Sequence, residues 1–311
     1  MHASIEMQSA WTEYWKNGPT ESLPEDRASG LLTALDSEWA DFFSSFPPRA
    51  KLLDLATGGG DVVRQAVAAN RDFDITGVDI AELSAVSATI QSLRIRFVGN
   101  TDLSSLPFPD AAFDGITSQF GFEYADVRAA PHEAIRVLVP GGRGRFVLHR
   151  ADSAITQGAA NSLAAYRSVF TDKTAFQFGR TVFEARQRSA PPASITEAEV
   201  QFLKAVRELQ LRLRDDRAFG IARNVVGFLT RLASAPNSYP PAEGLHQLNV
   251  VEKTNDARNL RKVAQTKAAL DRQGIDELAA LLASKGAVVG PPKELKYVGG
   301  RILAWSLSFY K

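Results

Sequence analysis

The sequence predicts an α/β protein: a doubly wound, seven-stranded sheet with an antiparallel C-terminal hairpin strand and a large all-helical insertion. Three observations predict it. Residues 51–150 alternate short apolar runs with helical patterns, the mark of strand-helix-strand units and a parallel sheet. From about Asp152 to Arg272 the pattern turns to long charged-and-apolar helices, broken at Pro191-Pro192 and between Pro236 and Pro241. Sheet character then returns in "ELKYVGGRILAWSLSFYK", where Gly299-Gly300 reads as a hairpin turn.

The predicted strands are "KLLDLA", "DITGVDI", "IRFVG", "FDGITSQF" and "GRFVLH", with helices starting near Asp61, Ala81 and Val127. Within the helical block, Val200, Leu203, Val206, Leu209 and Leu213 recur at three-to-four spacing and define an expected apolar face. "IDELAALLASKG" reads as a helix closed by Gly286 as a C-cap.

Composition excludes more than it selects. With 36 Lys+Arg against 35 Asp+Glu, the net charge of +1 argues against nucleic acid as the main partner. The chain has no cysteine, which removes disulfides, thiolate zinc sites and cysteine nucleophiles together. No His/Asp/Glu spacing suggests a metal. The N-terminal segment carries Glu6 and Glu13 among its apolar residues, unlike a signal peptide, and no apolar run nears the roughly 20 residues of a membrane helix. A cytoplasmic protein with no membrane partner is expected.

The chemistry concentrates in "KLLDLATGGGDVV", a strand that ends in Gly58-Gly59-Gly60 and resumes as a helix. Such a turn is expected to offer bare backbone N–H groups at a helix N-terminus. A dinucleotide fingerprint would need a third glycine where Val63 stands, and no lysine follows the glycines as in a phosphate-binding loop. Asp54, ahead of the turn, would repel a pyrophosphate and suit an ammonium group. Asp79 ends the next strand, from where a carboxylate accepts hydrogen bonds from ribose hydroxyls. Adenosine joined to a cationic amino-acid tail satisfies both, which describes S-adenosylmethionine.

"LLDLATGGG", "GVDI", "TDLSSLPFPDAAFD" and "RVLVPGGRGRFVLH" together resemble, in order, the motifs of the class I (Rossmann-like) S-adenosylmethionine-dependent methyltransferases. Ala56 replaces the first glycine of the family's D-x-G-x-G-x-G. The resemblance covers about Leu52 to His149 and, more loosely, Ile275 to Tyr310. It implies donor contacts from Asp54, Ala56, Thr57, Gly58, Gly60, Asp79 and Ile80. It further implies that Asp102 meets the adenine amino group, the Leu103 backbone meets the ring, and Gln119 and Phe120 lie beside the methionine moiety. Phe122, Glu123 and Tyr124 would then face the acceptor, with the phenylalanine equally readable as core.

His149, at the carboxyl end of the fifth strand, suits a general base, with Glu123 and Tyr124 as the other catalytic candidates. Trp11, Tyr14 and Trp15 share one face of a helix in an N-terminal lid (residues 1–50) and are candidates for substrate contact. The core spans residues 51–150, a helical cap 151–273, and the last helix with the hairpin 274–311. The cap is expected to supply acceptor selectivity, its arginines 180, 186, 188, 207, 212, 214 and 217 being either anion contacts or solvated helix faces; it can equally serve as a homodimer surface. The expected activity is methyl transfer to a small-molecule acceptor, secondary-metabolite or quinone-like, held between core and cap. A protein or peptide acceptor, or a non-catalytic S-adenosylmethionine-binding protein, are the alternatives.

Overall fold

The computed structural model describes residues 5–17, 31–69, 71–84, 90, 94–170, 174–213 and 219–311. The helix expected from near Ala81 runs into residues outside these ranges, and Arg214 and Arg217 lie outside them too. Two compact units are formed, one by residues 1–157 with 264–311 and one by residues 158–263.

The first unit is built on a sheet of β1 (Lys51–Leu55), β2 (Asp74–Val78), β3 (Ile95–Val98), β4 (Phe113–Gln119), β5 (Leu138–His149), β6 (Val288–Val289), β7 (Lys293–Tyr297) and β8 (Arg301–Tyr310). The order is β3-β2-β1-β4-β5-β8, with β6 and β7 both pairing on the outer edge of β8. The first five strands are parallel and β8 runs antiparallel to β5. The two-residue β6 adds an eighth strand, and Gly290-Pro291-Pro292 separates it from β7 because proline donates nothing to a ladder. The hairpin turns where predicted, with Gly299 and Gly300 at φ 81° and 71°.

The sheet is covered on both faces. The helices α4 (Ala129–Val137) and α10 (Arg272–Ser284) pack Ala134, Ile135, Ile275 and Leu282 on one side. On the other, α2 (Leu31–Ser44) and α3 (Asp61–Ala68) bury Trp39, Phe43, Val62 and Val63. α2 is tied down by Glu38, which is buried, accepts from Ser306 Oγ at 2.6 Å and pairs with Lys293 at 3.2 Å. α10 starts on an N-cap, Asp271 accepting from Gly274 N–H at 2.8 Å, and ends at Gly286, whose φ of 97° is the left-handed C-cap geometry expected of it.

The fifth strand starts earlier than the predicted "GRFVLH": "VPGG" lies inside β5, as a bulge in its pairing with β4 between the Phe113/Leu138 and Gly115/Arg143 registers. Gly141, at φ 79°, takes the bulge conformation, and its N–H donates to Lys311 O at 2.7 Å. The C-terminal residue thereby closes the bulged edge.

The remaining helices are α1 (Ile5–Asn17), α5 (Ala154–Phe170), α6 (Thr174–Gln187), α7 (Pro192–Arg212), α8 (Phe219–Ser234) and α9 (Pro241–Ala268). α6 to α8, with α5 from residue 158 and α9 up to residue 263, supply the second unit, whose core includes Phe176, Phe183, Phe202, Leu229, Leu232 and Leu248, while the last turn of α9, with Gln265, belongs to the first unit. The expected face of α7 is corrected here. Val200 and Leu203 are 58% and 45% exposed, while Ala198, Phe202, Ala205, Val206, Leu209 and Leu213 form the buried face. Phe202 decides the register, since burying an aromatic ring gains more than burying Val200. Arg180 is spent on Glu252 and Asn249, and Arg186 on the Pro236 carbonyl, so both hold helices together.

Candidate functional site

Strand order reverses between β1 and β4, and in open parallel sheets ligands bind at the carboxyl ends of the strands flanking such a reversal. The glycine turn after β1 lies there. Three of its backbone N–H groups are taken up within the fold: Thr57 N–H donates to Val78 O at 2.9 Å, Gly58 N–H to Asp79 Oδ2 at 2.9 Å, and Gly60 N–H to Thr57 O at 2.8 Å. Gly58 and Gly60 adopt φ of 50° and 79° to make those bonds.

Asp79 holds the turn in this shape. Its second oxygen accepts from Ala81 N–H at 2.9 Å, and burial pushes its carboxyl upward against the pull of these N–H groups. With Gly58, Ala81 and Ile80 N–H acting on it, the carboxylate keeps acceptor capacity for a ligand hydroxyl.

Asp54 carries the stronger signal. It is only 2% exposed, Oδ1 accepts from Thr117 Oγ1 at 2.8 Å, and Oδ2 has no hydrogen-bond partner among the described residues. Burial pushes its carboxyl up to about 7, the Thr57 and Thr117 hydroxyls pulling it down only in part while Asp61 and Asp79 add repulsion. A buried, unpaired carboxylate beside two others wants a cation.

The two strand ends are strained together. Ala56 and Phe120, neither of them glycine, sit at φ 52° and 55°. A Cβ on Gly121 would meet the Ala56 Cβ at 2.4 Å, so the alanine that departs from the family's glycine is matched by a glycine after β4. Gln119 stays at the turn, accepting from Trp39 Nε1 at 2.6 Å and donating to Asp61 at 3.1 Å.

His149, Glu123 and Tyr124, separate in sequence, come together. Glu123 Oε1 lies 2.6 Å from His149 Nδ1 and also accepts from His149 N–H at 2.7 Å, while Oε2 is buried without a partner among the described residues. The Phe120 and Tyr124 rings flank the imidazole at 4.6 and 5.9 Å between centroids. Burial, then Glu123, hold the Tyr124 phenol well above its ordinary value, so at neutral pH it is a hydroxyl donor. Gln265 on α9, which sequence reading missed, places its amide nitrogen 2.9 Å from His149 Nε2.

Other candidates take structural places. Phe122 takes the core reading, buried and stacked on Phe146 at 4.1 Å. Asp102 makes an Asx turn with Ser104, and Leu103 packs into the core beneath it. Ile80 follows Asp79 and is half-buried.

α1 crosses the carboxyl edge of the sheet. Gln8 reaches Asn100 at 2.9 Å, Thr12 accepts from Glu82 N–H at 3.1 Å, and Trp11 meets the Tyr124 ring at 5.7 Å. Trp11, Tyr14 and Trp15 form one aromatic cluster, and Trp15 lies on Gly58, where a Cβ would come within 2.4 Å of its ring. Gly58→Ala is accordingly expected to cost about 1–3 kcal/mol in urea unfolding, from the left-handed backbone and the clash. With Trp15→Ala added, the clash part should disappear and the backbone part remain.

Among the described residues no helix is long and apolar enough to cross a membrane, and no cluster could hold a metal ion. Residues 52–142 match the family model described as "Methyltransferase domain". The demethylmenaquinone methyltransferase of Thermus thermophilus is 40% identical over 98 residues, 30% of this chain and 44% of that protein. The ubiquinone/menaquinone biosynthesis C-methyltransferase of Geotalea daltonii is 30% identical over 123 residues, 36% of this chain and 52% of that protein. The chain thus spans about half the length of these relatives. A crystal structure of a SAM dependent methyltransferase from Aquifex aeolicus aligns over 88% of each chain at 11% identity and TM-score 0.44.

Proposed function

We propose that the protein, whose residues 52–142 match a methyltransferase-domain family model, uses S-adenosylmethionine to methylate a small molecule bearing an acidic hydroxyl. The observation that carries the reading is the buried Asp54 carboxylate oxygen, without a hydrogen-bond partner among the described residues, beside the glycine turn. That pair of features fits a cationic amino-acid tail, and Asp79 retains acceptor capacity for ribose hydroxyls. When bound, S-adenosylmethionine supplies an electrophilic methyl group.

The chain's own contribution is positioning and one proton. Glu123 anchors the Nδ1 side of His149, so the ring has one nitrogen left to take a proton from an acceptor hydroxyl. Tyr124, held protonated, offers a hydrogen bond to the oxyanion that remains. The demethylmenaquinone and ubiquinone/menaquinone names of the relatives support a quinol-like acceptor, whose phenolic hydroxyl is of the required kind.

Calorimetry with S-adenosylmethionine and S-adenosylhomocysteine tests the first half of the proposal; binding of neither would end it. Radiolabelled methyl transfer to naphthoquinols, simple phenols and peptide libraries tests the second. Transfer to peptides alone would replace the small-molecule reading, and donor binding with no transfer to any acceptor would favour a non-catalytic role.

A further inference from the structure

We propose that the Gln265 amide is a positioning residue for the base: it caps His149 Nε2, selecting the tautomer with its proton on Nδ1, and yields that nitrogen to the acceptor's hydroxyl. The inference rests on the reading of His149 as the base. The geometry is a chain of three buried side chains. Glu123 Oε1, 2.6 Å from Nδ1, fixes a proton on that nitrogen, because a carboxylate can only accept. Nε2 is then the bare nitrogen, and the group opposite it must be a donor. Gln265 presents its NH2 there at 2.9 Å, and both residues are buried.

The ring is enclosed by groups that cannot compete for the role. Beside Glu123, the titratable neighbour is Tyr124, which holds its own proton. β8 brings Ala304 alongside, and α9 brings the neutral Gln265. Arg150, next in the chain, is turned to Asp152 and Glu294. The backbone carbonyl of His149 is taken by Leu270 N–H at 2.8 Å. Gln265 is therefore the group with which an incoming hydroxyl exchanges. In the exchange the acceptor's O–H bond breaks and an N–H bond forms at Nε2, leaving an oxyanion and an imidazolium paired with Glu123.

The substitutions Gln265→Glu and Gln265→Ala separate this from a merely structural role. Imidazole nitrogen-15 shifts of the wild-type protein should show His149 with its proton on Nδ1 and Nε2 bare. Gln265→Glu, with acceptor oxygens in place of the amide donor, should place a proton on Nε2 and lower kcat/KM for a hydroxyl acceptor about tenfold. Gln265→Ala, which removes the competing donor, should lower KM for a hydroxyl acceptor about two- to tenfold with kcat within about twofold. A wild-type ring protonated on Nε2, or an Ala variant whose KM rises, would overturn the proposal. The nitrogen shifts need neither donor nor acceptor, so failure of the methyltransferase reading would leave the tautomer result standing as a separate outcome.

Discussion

Asp54→Asn is expected to abolish S-adenosylmethionine binding, weakening it by about 100-fold or more, while making the ligand-free protein more stable above pH 7. Both effects come from one carboxylate. Its pKa is raised from 3.8 to about 7 by burial, so the folded state binds the proton more tightly than the unfolded chain does. A raised acid contributes no penalty below pH 3.8, loses stability progressively between 3.8 and about 7, and carries the full penalty above 7. Asn cannot ionise and keeps an oxygen for Thr117, so urea unfolding should show it more stable by about 1–4 kcal/mol at pH 8 and no more stable at pH 3.5.

The same sign gives the donor its pH dependence. Binding of a cation favours ionised Asp54, so wild-type affinity should rise with pH up to about 7 and level off, with proton release on binding below that value. Calorimetry in two buffers of different ionisation enthalpy reads the release directly. An Asn variant that binds S-adenosylmethionine as well as the wild type would mean that the orphaned oxygen serves something other than the ammonium group.

His149→Asn should leave donor affinity within about twofold and lower kcat for a hydroxyl acceptor about 10²- to 10⁴-fold, the range of a lost general base. Glu123→Ala should fall between the two. It frees Nδ1 to lose its proton and removes the acceptor of the His149 N–H, so turnover drops by an intermediate factor while the donor site, built on β1 and β2, is untouched. Single-turnover transfer from labelled donor measures both. Equal loss of donor binding in the histidine variant would mean that His149 supports the donor instead of the acceptor.

The donor half of the site was legible because it is local. Asp54, the glycines and the acid at the end of β2 lie within one strand-turn-helix-strand unit, where spacing along the chain maps onto position in space. What spacing did not convey was direction. The turn's N–H groups point inward to Val78, Asp79 and Thr57, a result of left-handed angles at Gly58 and Gly60 that a three-glycine string permits but does not prescribe. The face of α7 failed for a related reason: two apolar stripes share Val206, Leu209 and Leu213, and only packing of Phe202 selects between them.

By itself, then, the sequence determined the doubly wound sheet, its antiparallel closing hairpin and a carboxylate-lined glycine turn, all encoded in short-range periodicity and in residues with narrow backbone preferences. The tertiary structure decided what surrounds the candidate base. Glu123 and Gln265 stand 26 and 116 residues from His149, and no pattern along the chain states which strand end meets which helix. That meeting follows from sheet order and from where α9 ends, and those depend on burying apolar surface across the whole unit instead of on any local preference.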